Sequence, residues 1–410
     1  MRILMVTDFY WPYAGGVEQH VRHLSHALVA RGYDVAVATL AGNGTPGTDT
    51  DGAVRVYRLR SAAEVLQRLH SHSNRPWAPP LPDPLVLGAL RRIVTRERPA
   101  VVHGHDWLAR SFLPLKRWSG SKLVASLHYY TLSCAKKSLM YRGVPCSGPG
   151  LRKCIGCGSR HYGMLKGTST VVGNWAFSAR ERTAVDMFLP VSRATAAGNG
   201  LIGHRWPYEV IPNFVPDADD AWHEAVDGYV AQLPDTDFLL FVGDLRHDKG
   251  LDVLLQAYAG LRGAPPLVLI GKVWPETPTT FPSNVIVLRD WPNAAVMAAW
   301  RRCLVAIVPS IWPEPFGLVV IEAMASGRPV VASRIGGIPD MIIDEQTGLL
   351  VPPGDASALR QALERLLAEP ALCARLGVAA RKKSAEYRVS AVVPRIERVY
   401  QALVSGAAPA

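Results

Sequence analysis

The feature that most constrains this chain is an alternation that runs through it twice. Residues 2–8, RILMVTD, form a short apolar run that ends on polar residues. A loop, FYWPYAGG, and a helix-period segment, VEQHVRHLSHALVARG, lead to a second apolar run, YDVAVATL. Apolar runs this short read as strands buried on both faces. Strand, loop, helix, strand is the βαβ unit of a parallel sheet. Further strands are expected at 100–105, 122–128, 183–192 (partly helical) and 208–214. After IPNFVPDADD the alternation restarts, with strands in DFLLFVGD, PLVLIG, NVIVLRD, LVAIVPS and PVVAS and helices in LDVLLQAYAGL, AAVMAAWRRC and LVVIEAMASG. The expected architecture is α/β, with two doubly wound, Rossmann-like domains facing across a cleft. The first covers 1–217 and the second 218–390. Residues 391–410 read as a helix returning to the first domain, followed by a tail. Residues 61–90 read as an irregular insertion, and only short helices are expected after 355.

With 410 residues, 49% of them hydrophobic and 19% charged, the chain is globular in composition and long enough for two cores. The amino terminus lacks a signal-peptide pattern, and no apolar run reaches the ~20 residues of a membrane span. A cytoplasmic protein is expected, or one peripheral to the inner face of the membrane. The formal charge is +15 over residues 1–200 and −4 over 201–410. A basic half suits anionic lipid, a phosphorylated substrate or nucleic acid. No helix-turn-helix, RNP or basic-aromatic motif is present, so nucleic acid is not expected as a partner.

The stretch PEPFGLVVIEAMASGRPVV, 313–331, carries two acids in an apolar context, Glu314 and Glu322. Buried carboxylates are costly without partners. Here a strand ends at VPS, a turn follows, and a helix opens near Phe316-Gly317-Leu318. A helix start offers free N–H groups to a phosphate, and glycine allows close approach. Two acceptor-only carboxylates suit the vicinal hydroxyls of sugars.

Taken with AGGVEQHVRHLSHAL, VVHGHDW, LPVS, VIPNF, FVGDLRHDKG, VPSIWPEPFG, GGIPD and TGLLVPPGD in that order, this stretch resembles the E-x7-E signature of family 4 retaining glycosyltransferases of the GT-B fold. The resemblance runs from residue 2 to about 403. It implies transfer of a sugar from a UDP- or GDP-sugar to an acceptor hydroxyl with retention at the anomeric carbon. It further implies that Glu322 holds ribose hydroxyls and Glu314 the donor sugar, with Gly317 and Leu318 at the diphosphate and Phe316 among the donor-binding residues. Gly243 opens GDLRHDKG, whose Lys249 is suited to neutralise a departing diphosphate. The family's arginine after that glycine is replaced by Asp244, and Arg246 is the candidate substitute. Gly15 and Gly16 resemble the family's glycine pair near the donor phosphates. His128 resembles the histidine near the reacting sugar. His103, His105 and Asp106 fall on the acceptor side, where the acceptor is lipid-linked, a glycan or a small molecule.

H-x-H at 103–105 can hold metal, but no third ligand is evident in the sequence. D-x-D at 49–51 and 235–237 reads as solvated turns, so no catalytic metal is expected. Cys134, Cys146, Cys154 and Cys157 supply the ligand count of a structural zinc site, with unligated thiols as the alternative. Cys303 and Cys373 read as core residues. Two other functions fit the same fold: a nucleotide-sugar epimerase and a non-catalytic sugar-nucleotide binder.

Overall fold

The structure is a computed structural model that describes residues 1–13, 15–42, 44–64, 78–217 and 226–407. Parts of the expected insertion (65–77), of the domain boundary (218–225) and of the tail (408–410) lie outside the described residues.

The chain divides into two compact units. One comprises Met1–Tyr141, Cys146–Asn213 and Val392–Ala410; the other comprises Arg142–Pro145 and Phe214–Ala391. The strands, in chain order, are β1 (Arg2–Val6), β2 (Asp34–Leu40), β3 (Gly47–Asp51), β4 (Val54–Leu59), β5 (Val101–Gly104), β6 (Lys122–Leu127), β7 (Met140–Tyr141), β8 (Val144–Pro145), β9 (Met187–Pro190), β10 (Leu239–Val242), β11 (Leu267–Ile270), β12 (Val285–Leu288), β13 (Val305–Val308), β14 (Val330–Ser333) and β15 (Leu349–Val351).

The first sheet runs β3-β4-β2-β1-β5-β6-β9, parallel except for β3. Its centre is almost wholly apolar: Ile3, Leu4, Met5 and Val6 on β1 are buried, as are Val101 and Val102 on β5. Helices cover a parallel sheet on both faces, which is why these strands lack polar alternation. The helix Pro84–Glu97 begins where its pattern demands, because Asp83 accepts from the Leu85 and Val86 amides and Pro84 needs no amide partner. Two further helices, Leu151–Tyr162 and Met164–Ala184, turn about Gly163. A Cβ on Gly167 would lie 2.3 Å from the Gly158 backbone, so only glycine permits this helix pair to approach so closely. The longer helix is anchored by the buried Arg110, whose Nε donates to Glu181 at 2.7 Å and whose Nη1 donates to Asn174 at 2.9 Å.

The second sheet runs β12-β11-β10-β13-β14-β15, parallel throughout. With β10 taken as strand 1 this is the order 3-2-1-4-5-6, and β4-β2-β1-β5-β6-β9 repeats it. Ligands on such sheets bind beyond the carboxyl ends of the two strands where the order reverses. Those strands are β1 and β5 in one unit and β10 and β13 in the other.

Several expectations change. D-x-D at 49–51 is not a turn: it lies on β3, an antiparallel edge strand paired with β4. There Asp51 accepts from Arg22 Nε at 2.8 Å and from the Tyr10 hydroxyl at 3.0 Å. Residues 208–214 form one bridge, Tyr208 with Phe188, rather than a strand. The strand expected over 183–192 is confined to β9, after a helix that ends at Ala184. The helices after 355 are long: Ala356–Ala368, Pro370–Ser384 and Val389–Ser405. Besides the short excursion Arg142–Pro145, the chain passes between units at 213/214 and again at 391/392. Within the second unit the two passing segments lie side by side, with Val215 bridged to Arg388.

Candidate active site

In the second unit, β10 ends at Val242 and the chain turns through Gly243 at φ 152°. A Cβ on Gly271, at the end of β11, would sit 1.7 Å from the Gly243 carbonyl oxygen, so the two glycines let these strand ends meet. The turn closes on Gly250 at φ 79°, where a Cβ would lie 1.9 Å from the Pro309 carbonyl oxygen just past β13. The amides of Ile311 and Trp312 both donate to the Asp248 carbonyl, at 3.0 and 3.2 Å. The two loops beyond the reversal point are therefore bound together by backbone.

This binding brings Lys249 to Glu314. The ammonium donates to Glu314 Oε1 at 2.7 Å, and the Ser310 hydroxyl donates to the same oxygen at 2.8 Å. Lys249 also lies over the Trp312 ring, 4.9 Å from its centroid. Glu314 is buried and its backbone is fixed, since Gly337 donates to its carbonyl at 2.7 Å. Arg246 is committed elsewhere: its Nε lies 3.2 Å from Glu276 and 3.4 Å from Asp248, and its guanidinium covers Trp274.

Gly317 caps the helix Leu318–Ala325 at φ 99°, a conformation that favours glycine. Leu318 is the first helical residue. The ring of Phe316 is an interior group, 3% exposed and 6.0 Å from Tyr387, so any contact with the donor falls to its backbone. The partners of Glu322 are an amide and an indole rather than a cation: Asn293 Nδ2 and Trp300 Nε1 each donate at 3.4 Å. Burial raises the pKa of this carboxyl above its ordinary value, and the two donors act in the opposite direction.

In the first unit, Gly15 and Gly16 start the helix Gly16–Ala30, with Gly15 extended at its cap. The next turn brings in His20, which the sequence reading had not singled out. Its ring lies 4.8 Å from that of His128, which follows β6, and 5.8 Å from that of His105, which follows β5. His105 Nδ1 and His128 Nε2 are 3.1 Å apart and share a hydrogen bond. Ligating nitrogens of His20, His105 and His128 lie within 4.8 Å of one another, the one such group of metal-capable side chains among the described residues. The H-x-H pair thus divides. His103 is held by the Tyr400 hydroxyl at 2.6 Å and the Ser126 hydroxyl at 2.8 Å, while His105 joins the other two rings. Burial holds His103 down at about 3 and His128 at about 4, with His20 and His105 also far below the usual value, so all four imidazoles are neutral.

Asp106 belongs to a second charged group. Lys137 bridges Asp106 at 2.8 Å and Asp8, past the end of β1, at 3.2 Å. Burial pushes the Asp106 carboxyl up, and Asp8 adds to this, while Lys137 works against it. Lys137 itself is held above its ordinary value because the two carboxylates outweigh its desolvation. The Leu108 amide donates to Asp8 at 2.8 Å. Cys134, Cys146, Cys154 and Cys157 are half-buried free thiols in the segment that supplies Lys137, and Cys303 and Cys373 are buried. No signal in one sequence marks Lys137 or His20, because neither sits just past a strand end.

The family described as Glycosyltransferase Family 4 matches residues 14–219, half of the chain, and the one described as Glycosyl transferases group 1 matches residues 230–383. Glycogen synthase of Mycobacterium tuberculosis is 28% identical, over 99% of this chain and 96% of its own. Phosphatidyl-myo-inositol mannosyltransferase of Mycobacterium leprae is also 28% identical, over 99% and 98%. Among solved structures, sucrose-phosphate synthase from Thermosynechococcus elongatus superposes with a TM-score of 0.76 at 22% identity, over 99% of this chain and 100% of that one. Anabaena HepE, solved with UDP-glucose, superposes with a TM-score of 0.68 at 17% identity, over 98% and 100%. The likeness of these structures is one of fold, the GT-B fold. Neither an epimerase nor a non-catalytic binder is favoured by these matches, and the chain belongs to glycosyltransferase family 4.

Proposed function

We propose that this protein is a retaining glycosyltransferase that moves a sugar from a UDP- or GDP-sugar to an acceptor hydroxyl, in cell-surface glycan, glycolipid or natural-product glycoside synthesis. The observation that carries this reading is the Lys249–Glu314–Ser310 cluster at the strand ends of the second sheet, beside the glycine-capped helix start at Gly317 and Leu318. Both contacts to Glu314 fall on Oε1, which leaves Oε2 to accept from a donor sugar hydroxyl. Lys249 and the first amides of the helix then face the negative charge that develops on the departing diphosphate. Glu322, held only by two long neutral hydrogen bonds, accepts from the ribose hydroxyls. A leaving phosphate oxygen takes the acceptor proton, so departure and attack share one face and the anomeric configuration is kept. With Arg246 paired to Glu276 and Asp248, Lys249 is the principal cation and Arg246 a secondary one. The first unit serves the acceptor through Asp106 and the neutral rings of His105 and His128. Members with UDP-glucose or ADP bound in solved relatives of the same fold support a nucleotide donor.

The reaction proceeds in this reading without a catalytic metal, since charge neutralisation falls to Lys249 and backbone amides. Turnover should be the same with and without added magnesium or manganese. A peripheral, cytoplasmic-face location is supported by charge and exposure. Residues 107–180 contain 12 Lys and Arg and no Asp or Glu. The first turn of the helix Met164–Ala184 exposes Met164 and Leu165, which are 78% and 88% accessible. No described helix is long and apolar enough to cross a membrane. Flotation with anionic vesicles should capture the protein at low salt and release it at high salt.

The deciding experiment offers a panel of nucleotide sugars with simple acceptors, and follows nucleotide release and product anomer by NMR. Lys249→Ala should lower turnover by about 10²–10³. Glu322→Ala should act mainly by weakening the donor. Near-wild-type transfer by Lys249→Ala, or an inverted product, would count against this mechanism.

A further inference from the structure

We propose that Cys134, Cys146, Cys154 and Cys157 bind one zinc ion as four thiolates, stapling the segment that carries Lys137. This inference does not depend on the sugar donor or the acceptor. The four residues come from three pieces of backbone: the turn after β6, the end of β8, and the first turns of the helix Leu151–Tyr162. All four line one cavity, together with Lys136, Tyr141 and Lys153. Cys154 and Cys157 are three residues apart on the helix and so share a face.

Burial pushes the Cys134 thiol up while nearby backbone amides act against it, so its thiolate forms only by bonding to a metal. Cys154 Sγ accepts from the Gly150 amide at 3.3 Å, and the Lys136 and Leu139 amides face Cys134 Sγ. Four thiolates around a divalent ion leave a net charge of −2. Lys136 and Lys153 line the same cavity, and the nearest acids in sequence are Asp106 and Glu181. Sulfur-only ligands with no oxygen or nitrogen select a soft-liking ion, of which tetrahedral zinc is the commonest structural case. None of the four is in a disulfide. The sulfurs are not yet gathered as closely as in a zinc site: among the described residues, no three of them lie within 4.8 Å of one another. Zn–S bonds of about 2.3 Å therefore require side-chain rotation into the cavity, with four thiol protons released to solvent.

The segment needs such a staple. Between β6 and Leu151 its only regular structure is the two-residue strands β7 and β8. It also carries three non-glycine residues at positive φ: Lys137 at 62°, Leu139 at 53° and Arg142 at 51°. Such backbone is strained and persists only where its surroundings fix it. Cys134 begins the turn that bears Lys137, because the Lys137 amide donates to the Cys134 carbonyl at 2.9 Å. Fixing Cys134 therefore fixes the ammonium that bridges Asp8 and Asp106.

The test uses full-length protein purified under reducing conditions. Elemental analysis should give one zinc per chain. Replacement by cobalt(II) should give an intense thiolate-to-metal band in the near ultraviolet with tetrahedral d–d bands in the visible. Cys154→Ser and Cys157→Ser should each lose the zinc equivalent, while Cys303→Ser keeps it. Should the serine variants fail to fold, chelator stripping of the wild type replaces them: cleavage by trypsin between 134 and 160 should accelerate and be reversed by added zinc. Absence of stoichiometric metal, a disulfide among these four residues, or a sulfide-containing iron chromophore would each overturn the zinc assignment. Unchanged cleavage on stripping would overturn the stapling role.

Discussion

The two sheets share one strand order and use it in opposite ways. At the reversal point of the second sheet, glycine lets bare backbone close up: Gly243 against Gly271, and Gly250 against Pro309. One cation and one carboxylate, Lys249 and Glu314, stand there. At the equivalent point of the first sheet the space is filled by side chains, with four neutral imidazoles on one hand and Lys137 between two carboxylates on the other. Topology thus fixes where a site lies, and the residues at the strand ends decide what it can do. Amide groups and a lysine suit phosphate. Buried imidazoles without net charge suit hydroxyls, which need donors and acceptors together.

That contrast can be broken most severely at Lys137. Lys137→Met leaves Asp8 and Asp106 buried without their cation and should cost about 3–5 kcal/mol in urea unfolding. A loss below 1 kcal/mol would mean that solvent, not Lys137, satisfies these acids. In the second unit the corresponding change is Gly250→Ala, where φ is 79° and the new Cβ meets a carbonyl. The strained backbone alone should cost about 1–3 kcal/mol, read from the same unfolding curves.

Acid distinguishes the units further. His103 and His128 stay neutral when folded, at about 3 and about 4, whereas unfolded histidine protonates near 6.5. The unfolded chain then binds more protons, so stability falls as pH drops below about 6.5, by about 1.4 kcal/mol per pH unit for each ring. Asp106, with its raised value, offsets part of this. His103→Gln should flatten the pH dependence between 6.5 and 5 by about one such increment; an unchanged slope would show that this ring is already protonated. The smallest effect is expected at Glu322→Gln. Burial disfavours the carboxylate, so the neutral amide should shift stability by less than about 1 kcal/mol while weakening donor binding, measured by calorimetry.

The second unit was the more legible in the sequence because each of its site residues sits in a motif of its own. Lys249 and Glu314 both sit just past strands, and glycines at 243, 250 and 317 mark the turns. The first unit draws on residues 8, 20, 105–106, 128, 137 and 400, and their convergence is a property of the sheet rather than of any motif. The late helices are long although a proline falls among them, because Pro370 serves as the first residue of a new helix. Asp49 and Asp51, flanked by Gly47 and Gly52, resembled a turn. They instead furnish the charged rim of an edge strand, which discourages pairing with another chain.

The return of the chain at Val392 has a consequence for synthesis. His103 finds its phenol on Tyr400, and Arg31 finds its carboxylate on Glu397, 2.7 Å away. Domains commonly fold in the order in which the ribosome delivers them. Here the half made first must wait for the last twenty residues to emerge, so a premature stop near residue 390 would injure the beginning of the protein while sparing its middle.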